Sequence, residues 1–143
     1  MACGAEHTVV QTTRGLYSWG NNEYGQLGTG DGKNRTRPAA VENLPSLAVD
    51  SLTCGYFHTV AMATEEETIW GWGANSFGQL SLHQNAKVLL PSRLRELERR
   101  RACVISAGAS HTAFITAQVR SGLALTFPHV LYGPNAGKFV YMW

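Results

Sequence analysis

The histidines of this sequence recur at intervals that could assemble a metal site or a catalytic centre. His7, His58 and His111 are separated by 51 (58 − 7) and 53 (111 − 58) residues. Imidazole is both a common metal ligand and a general base near neutral pH. Equivalent positions of successive repeats lie a repeat width apart, which is too far for one ion, and no acidic ligand recurs beside all three. The spacing therefore favours structural histidines, each bonded to neighbouring backbone.

The cysteines could supply a nucleophile or a disulfide, but their positions follow the same repeat. Cys3 and Cys54 each stand directly before a glycine, where the third copy has Ala107, so a small buried residue is expected at all three positions. Cys54 lies near His58 only as Cys3 lies near His7, and three cysteines do not make a disulfide framework. We therefore predict no catalytic residue, no metal and no cofactor. A reducing intracellular compartment is expected: the cytoplasm, the nucleus or an organelle.

These residues belong to an internal repeat that organises the whole chain. The segments 17–27 and 70–80 are nearly the same, and their tryptophans are 53 residues apart (72 − 19). A fixed offset over most of a unit is the signature of a repeat architecture. The repeated motif comprises Gly4, His7, Trp19, Gly20, Gly25, Gln26 and Leu27 in the first copy, Gly55, His58, Trp72, Gly73, Gly78, Gln79 and Leu80 in the second, and Gly108 and His111 in the third.

Each unit is predicted to form about four short strands separated by glycine-rich turns. A β-rich run follows each histidine, a turn reverses it, and a returning strand leads to the motif tryptophan. A polar connection, 29–37 in the first copy, then precedes a proline and a further extended segment. Residues 94–101 have the composition of a helix, but their leucines occupy the positions of Val41 and Leu44, which favours a strand plus turn. The pattern predicts an all-β fold of propeller blades.

The third copy carries an insertion. Residues 106–116 keep the pattern, residues 117–138 have no counterpart, and 139–143 then match 15–19. The insertion, with its prolines and glycines, is interpreted as a long hairpin tip or flap. The predicted organisation is one partial propeller domain over residues 1–143, with repeats at about 2–54, 55–107 and 108–143.

The run Gly-x-x-His-Thr, followed by Trp19-Gly-Asn-Asn-Glu-Tyr-Gly-Gln-Leu-Gly28, resembles the regulator of chromosome condensation repeat family. The second copy carries the same motif from Trp72 to Leu80, with Ser81 where a glycine is usual. The resemblance implies a seven-bladed propeller of antiparallel four-stranded blades. About two and a half repeats cannot close such a ring, so we expect an incomplete propeller of about two to three blades. Its cut edges would pair with further blades from the same or another chain.

Functions within this family diverge, and the fold does not select among them. The favoured interpretation is a non-catalytic protein–protein interaction or scaffold module. Two alternatives stay open: a guanine-nucleotide exchange propeller that acts on a small GTPase through the 117–138 loop, and an accessory subunit of a large ribonucleoprotein or cytoskeletal assembly. Light sensing by clustered tryptophans is disfavoured, because Trp19, Trp72 and Trp143 are the repeat's own core residues.

Two arginine-rich connections are the remaining candidates for a partner site. They hold Arg35 and Arg37 in the first copy, and Arg93, Arg95, Arg99, Arg100 and Arg101 in the second. A solvated surface and a patch for an acidic partner are both compatible with these charges. The net charge is only +2 and no aromatic residues interleave with the arginines, so nucleic acid is weakly supported. No apolar run is long enough to predict a membrane span.

Overall fold

Three antiparallel four-stranded sheets form the structure, and they confirm the all-β propeller-type fold predicted from the repeat. The computed structural model describes residues 1–44, 49–82, 86–99, 102–116, 130–131 and 139–142. The strands pair in the order of the chain in the first two sheets.

Sheet one consists of β1 (Ala2–Cys3), β2 (His7–Thr12), β3 (Gly15–Gly20) and β4 (Arg35–Ala40). Sheet two consists of β5 (Ser51–Cys54), β6 (His58–Ala63), β7 (Thr68–Ala74) and β8 (Lys87–Arg93). A short helix, α1 (Arg95–Arg99), follows β8. Sheet three consists of β9 (Ala102–Ala107), β10 (Thr112–Thr116), β11 (Val130–Leu131) and β12 (Phe139–Met142).

The register of the central hairpins fixes where the repeated motif lies. His7 is opposite Gly20 in sheet one, and His58 is opposite Gly73 in sheet two. The turn before each histidine and the loop after each motif tryptophan therefore meet at the same end of the sheets, which we call the loop end. The tips of the β2–β3 and β6–β7 hairpins lie at the other end, the hairpin end.

In sheet three, β12 occupies the position that β3 has in sheet one. Tyr141 lies opposite Phe114, as Tyr17 lies opposite Val10. β11 pairs with the outer side of β12 and takes the place of the fourth strand. This part of the 117–138 insertion is therefore a strand of the sheet and not a flap. The remainder of the insertion and Trp143 lie outside the described residues.

The outer strands begin earlier than the sequence analysis predicts. β4 starts inside the stretch expected to be a polar connection, and Pro38 and Pro91 lie within β4 and β8 rather than before them. Proline has no backbone N–H and is excluded from central strands, whereas an outermost strand bonds a neighbour along one side alone. Both prolines are compatible with their strands because these strands are sheet edges.

The strand and turn predicted within residues 94–101 are wrong over residues 95–99, where α1 forms instead. Leu97, in the middle of the helix, is only 1 % exposed. The Glu98 carboxylate accepts hydrogen bonds from the backbone N–H of Ile69 and from Arg93 Nε. The segment forms a helix because its residues favour a helix and contact sheet two, even though its leucines match Val41 and Leu44 of the first copy.

The sheets stack face to face with their first strands adjacent: β1 contacts β5, and β5 contacts β9. Val9, Val60, Trp72 and Phe114 lie in the core and are at most 1 % exposed. Twisted antiparallel sheets whose first strands converge have the arrangement of neighbouring propeller blades. No helix among the described residues is long and apolar enough to cross a lipid bilayer.

Candidate functional site

The motif histidines of the first two copies each reach across to the next sheet. His7 Nε2 lies 2.9 Å from the Thr59 hydroxyl oxygen, and His58 Nε2 lies 3.1 Å from the Thr112 hydroxyl oxygen. All four side chains are buried, with at most 3 % of any residue exposed. The histidines do not gather at one site, since each one joins a different pair of sheets.

The contact between sheets one and two continues into a buried network. The Thr59 hydroxyl donates its proton to the Gln26 carbonyl oxygen at 3.1 Å, so it must accept its second bond from His7 Nε2–H. The Trp72 indole N–H donates to the same carbonyl at 2.9 Å. Sheet one therefore contributes a histidine and a carbonyl to the junction, and sheet two contributes a threonine and a tryptophan.

Burial holds His7 and His58 in the neutral form. Removal from water lowers the pKa of each imidazole from 6.5 to about 4. Gly4 and Gly55, three positions before these histidines, lie against the imidazole rings, and a Cβ at either glycine would collide with its ring. The Gly-x-x-His pattern is therefore a packing requirement. A neutral imidazole that is buried against backbone stabilises a junction and is not placed to exchange protons with a substrate.

Amide side chains build the loop that presents the Gln26 carbonyl. Asn22 Oδ1 accepts a hydrogen bond from the Leu27 N–H at 3.0 Å, and Gln26 Oε1 accepts one from the backbone N–H two positions earlier. Asn75 and Gln79 repeat both bonds in the second copy. Because these side chains satisfy backbone donors inside a tight turn, the loop keeps one shape in both copies.

The cysteine positions differ in exposure, so the expectation of a buried small residue in every copy is wrong. Cys54 is half-buried, whereas Cys3 is exposed on the first strand of the stack. Burial raises the pKa of the Cys54 thiol to about 11, so this thiol stays protonated at neutral pH and is a poor nucleophile. Within the described part of the chain, no three His, Cys, Asp or Glu side chains lie close enough together to hold a metal ion.

Junction residues at the two ends of the stack are not covered. Trp19 is partly exposed, whereas its equivalent Trp72 is fully buried. Thr8, the equivalent of Thr59, donates a weak bond to a neighbouring thiol at 3.8 Å. At the other end of the stack, His111 is exposed. Equivalent residues thus differ in burial according to whether another sheet lies against them.

The loop end carries an aromatic cluster that the sequence analysis missed. The rings of Tyr24 and Phe57 pack with their centroids 5.0 Å apart, and Tyr56 lies edge-on to Phe57 at 6.2 Å. Lys87 Nζ lies 5.1 Å from the centroid of the Tyr24 ring. Tyr56 is 55 % exposed, and Phe77, which also lies at the loop end, is 77 % exposed. Tyr24, Tyr56, Phe57 and Lys87, which are linked by these contacts, and Phe77 at the same end of the sheets are together called the aromatic patch.

A difference between the copies could have revealed part of this patch. Tyr56 and Phe57 stand where the first copy has Ala5 and Glu6 and the third has Ala109 and Ser110. Aromatic side chains that appear in one copy alone are not required by the repeat. Such positions are candidates for a function that the repeat itself does not explain.

The arginines of the two arginine-rich connections lie at different ends of the sheets. Arg35 lies at the loop end of β4. Arg93 lies at the hairpin end of β8, beside α1 with its Arg95 and Arg99. Residues 100 and 101 lie outside the described part of the chain.

Three of these arginines are also paired with acids. The ion pairs are Arg35 with Asp31 at 2.9 Å, Arg93 with Glu98 at 2.9 Å, and Arg99 with Glu96 at 3.5 Å. The hydrogen bond from Arg35 lowers the pKa of Asp31. Much of the positive charge is thus locally balanced, which favours a solvated surface at these positions.

The stacked four-stranded sheets and the contacts that join them define blades of a β-propeller built from a sequence repeat. The chain belongs to the regulator of chromosome condensation (RCC1) repeat family, as its sequence resemblance indicates. A family model of this repeat matches residues 15–62 and 66–115, and a second model of the same repeat matches residues 1–26 and 49–79.

Among curated relatives, the ultraviolet-B receptor UVR8 of Arabidopsis thaliana is 35 % identical over 118 residues, which cover 81 % of this chain and 27 % of that protein. The probable E3 ubiquitin-protein ligase HERC4 of Homo sapiens is 33 % identical over 135 residues, which cover 93 % of this chain and 12 % of that protein. The chain therefore spans about a quarter or less of the length of these relatives.

Two solved structures share the fold. Human WBSCR16 superposes with a TM-score of 0.69 at 21 % identity, covering 81 % of this chain and 30 % of the other. Prp20p of Saccharomyces cerevisiae superposes with a TM-score of 0.65 at 22 % identity, covering 80 % and 30 %.

Proposed function

We propose that the chain is a non-catalytic interaction module that binds a protein partner through the aromatic patch at its loop end. The observation that carries this proposal is the exposure of Phe77 and Tyr56, at 77 % and 55 %. Surface aromatic residues are enriched among the side chains that dominate the binding energy of protein interfaces. The neighbouring Tyr24–Phe57 contact holds part of the patch in place, which reduces the entropy lost on binding.

The absence of chemistry of its own is part of the proposal. His7 and His58 are neutral and buried in junctions, and the Cys54 thiol is protonated. His7 and His58 thus serve to hold blades together, and the Cys54 thiol is a poor nucleophile. Three free thiols support an intracellular, reducing location.

The relatives support a protein partner without naming it. Prp20p binds Gsp1p and histones, and HERC4 is named a probable E3 ubiquitin-protein ligase. This chain matches 30 % or less of either protein, so their activities do not transfer to it. Nucleotide exchange on a small GTPase remains the alternative to a passive scaffold.

Site-specific crosslinking tests the proposal. A photoreactive phenylalanine analogue replaces Phe77 in the full chain inside cells, and the same analogue at Arg37, exposed on the outer strand β4, is the matched control. We expect one protein to crosslink from position 77 and not from position 37. Its dissociation constant for the purified chain should rise about tenfold or more with Tyr56→Ser and Phe77→Ser combined, the loss expected from removing an aromatic anchor.

Two outcomes would contradict the proposal. Equal crosslinking from positions 77 and 37 would show that the patch has no preference for the partner. Acceleration of nucleotide release from a GTPase by the purified chain would establish the exchange alternative in place of a passive scaffold.

A further inference from the structure

The loops that carry Tyr24 and Phe77 have the same backbone hydrogen bonds. The Gln26 side chain accepts a bond from the Tyr24 N–H at 2.9 Å. The Gln79 side chain accepts the equivalent bond from the Phe77 N–H at 3.0 Å. In both copies the N–H of the following glycine bonds the carbonyl three positions earlier, at 3.0 Å. The two rings therefore leave their sheets from equivalent positions.

The turns that face these rings are also placed alike. The Ala5 N–H donates to the Tyr56 carbonyl at 3.4 Å, and the Tyr56 N–H donates to the Ala109 carbonyl at 3.0 Å. At the loop end, sheet three thus lies beside sheet two as sheet two lies beside sheet one. Phe57, one residue after Tyr56, has its equivalent in Ser110, one residue after Ala109.

A pair of rings closes the first of these junctions, and the second lacks one of the two rings. At the first, Phe57 packs on Tyr24 with the ring centroids 5.0 Å apart, and both residues are partly buried. At the second, Ser110 and Phe77 are both exposed, Phe77 at 77 %. The surface formed by Phe77 and Ser110 is called the notch. The first junction shows what fits there: an aromatic side chain, placed as Phe57 is placed against Tyr24.

Lys87 supplies a positive charge within the aromatic patch. Its ammonium group donates to the Glu23 backbone carbonyl at 3.1 Å, lies over the Tyr24 ring, and belongs to an exposed residue. The ion pairs found among the described residues do not include Lys87. Because an ammonium group has three donors, Lys87 can also bond an acceptor from outside the chain. A carboxylate is the group that complements its charge.

We propose that the aromatic patch binds an extended segment of a protein partner that places an aromatic ring in the notch and a carboxylate against Lys87. This inference rests on the proposed function, since it specifies the partner of the same patch. Phe77 and Lys87 both lie at the loop end of sheet two, where Ala74 is opposite Lys87, so one segment can reach both. A basic segment is a poor occupant, because it would meet the ammonium group.

Ser110→Phe tests the notch without any partner. The new ring should pack on Phe77 as Phe57 packs on Tyr24. The midpoint of thermal unfolding should then rise by about 2–4 °C, the shift expected of one aromatic pair. The same change in a Phe77→Ser background should give no rise, because the ring that it would contact is gone. No rise in the natural background, or an equal rise in both, overturns the proposal.

A library of random peptides displayed on phage tests the chemistry of the partner. The peptides are selected on the full chain, and those that also bind its Phe77→Ser variant are discarded. We expect the remaining peptides to share an aromatic residue and an acidic residue. Their dissociation constants should rise about tenfold or more with Ser110→Phe, because the chain's own ring then fills the notch.

Lys87→Met tests the charge, since methionine keeps an apolar stem over the Tyr24 ring. It should raise the dissociation constants of these peptides about threefold or more and make them less sensitive to added salt. Lys33→Met, which removes an exposed charge outside the patch, is the matched control and should leave them unchanged.

The proposal is overturned if no peptide survives the selection, if the survivors lack an aromatic or an acidic residue, or if Ser110→Phe or Lys87→Met leaves their affinity unchanged. It is equally overturned if the natural chain self-associates in sedimentation and loses this association with Ser110→Phe, since the occupant would then be a second copy. Failure of this inference is distinct from failure of the proposed function. A partner that crosslinks from position 77 but binds the Ser110→Phe variant as tightly as the natural chain supports the interaction module and contradicts the notch.

Discussion

At the residue scale, one backbone oxygen carries the junction between sheets one and two. The Gln26 carbonyl accepts hydrogen bonds from both Thr59 and Trp72, and Thr59 in turn accepts from His7. A buried donor that loses its acceptor costs more than the net gain from making the bond. The network is therefore sensitive to removal of its central hydroxyl, although each single bond contributes little.

Thr59→Val should destabilise the protein by about 1–3 kcal/mol, because it leaves the His7 Nε2–H without an acceptor in a dry site. Thr8→Val is the matched control, since the equivalent hydroxyl makes only a 3.8 Å contact to a thiol, and it should change stability by less than about 0.5 kcal/mol. Urea unfolding of both variants measures the difference. Equal effects would mean that the junction contact contributes nothing of its own.

Gly73 and Gly78 both have a positive φ, but only Gly73 is crowded by neighbouring atoms. Substituting each in turn therefore distinguishes the cost of steric crowding from the cost of the φ angle. Gly73 has φ of 100° and Gly78 has φ of 77°, both in the region that residues with a Cβ avoid. A Cβ on Gly73 would lie 2.8 Å from the His58 Cα, whereas a Cβ on Gly78 would meet nothing within 4 Å. Gly78→Ala should therefore cost about 1–2 kcal/mol from φ alone.

Gly73→Ala should cost about 1–3 kcal/mol more than Gly78→Ala, because the backbone of β6 must also move to admit the methyl group. Thermal or urea unfolding of the two variants gives the comparison directly. If Gly78→Ala proved as costly as Gly73→Ala, crowding against His58 would not be the reason for glycine at position 73.

The sequence predicts which residues form the junctions better than it predicts their burial. The period identifies Trp19 and Trp72 as equivalent, yet only Trp72 is fully buried, because burial depends on whether a further sheet lies against the residue. The Tyr56–Phe57 part of the aromatic patch does not recur between copies, so a search for repeated residues passes over it. Its exposure arises from tertiary placement, which local pattern does not encode.

At the element scale, hairpins were predictable and the connections between them were not. Alternating apolar residues and turn glycines locate β2, β3, β6 and β7, whereas the outer strands include prolines that a local rule places before a strand. α1 was missed because the match to the first copy outweighed its helix-forming composition. α1 instead depends on its own contacts with sheet two, through the buried Leu97 and the Glu98 carboxylate.

Glu98 ties α1 to sheet two, and Glu96 offers a control on the same helix. The Glu98 side chain is 13 % exposed and accepts from Ile69 N–H and Arg93. Glu96 is 49 % exposed and, among the described residues, pairs with Arg99. Glu98→Ala should cost about 2 kcal/mol, because a backbone N–H and a guanidinium lose a charged acceptor. Glu96→Ala should change stability by less than about 0.5 kcal/mol. Denaturant unfolding that ranks the two equally would show that α1 is not anchored through Glu98.

At the scale of the whole molecule, the stack is held by junctions that all use the same neutral histidine. Apolar burial supplies most of the stabilisation, but it does not depend on pH. The contribution of the two buried imidazoles does depend on pH, because burial favours their neutral form, which carries a single ring proton, over the charged form. A low pH therefore destabilises both described junctions, so the stability of the stacked sheets depends on pH.

Stability should fall as the pH is lowered from about 6.5 to about 4. The unfolded chain protonates its histidines near pH 6.5, whereas burial lowers the pKa of folded His7 and His58 to about 4. Between these values the unfolded state binds more protons, so each histidine removes about 1.4 kcal/mol of unfolding free energy per pH unit, and neither contributes a slope above that range. Urea unfolding at pH 7.5, 6 and 5 measures this slope.

The double variant with His7→Gln and His58→Gln is the control, because it retains every carboxylate. It should be less stable than the natural chain at pH 7.5 but lose less stability on acidification. If the natural chain and the double variant show parallel pH dependence, the loss arises from other groups and not from the junction histidines.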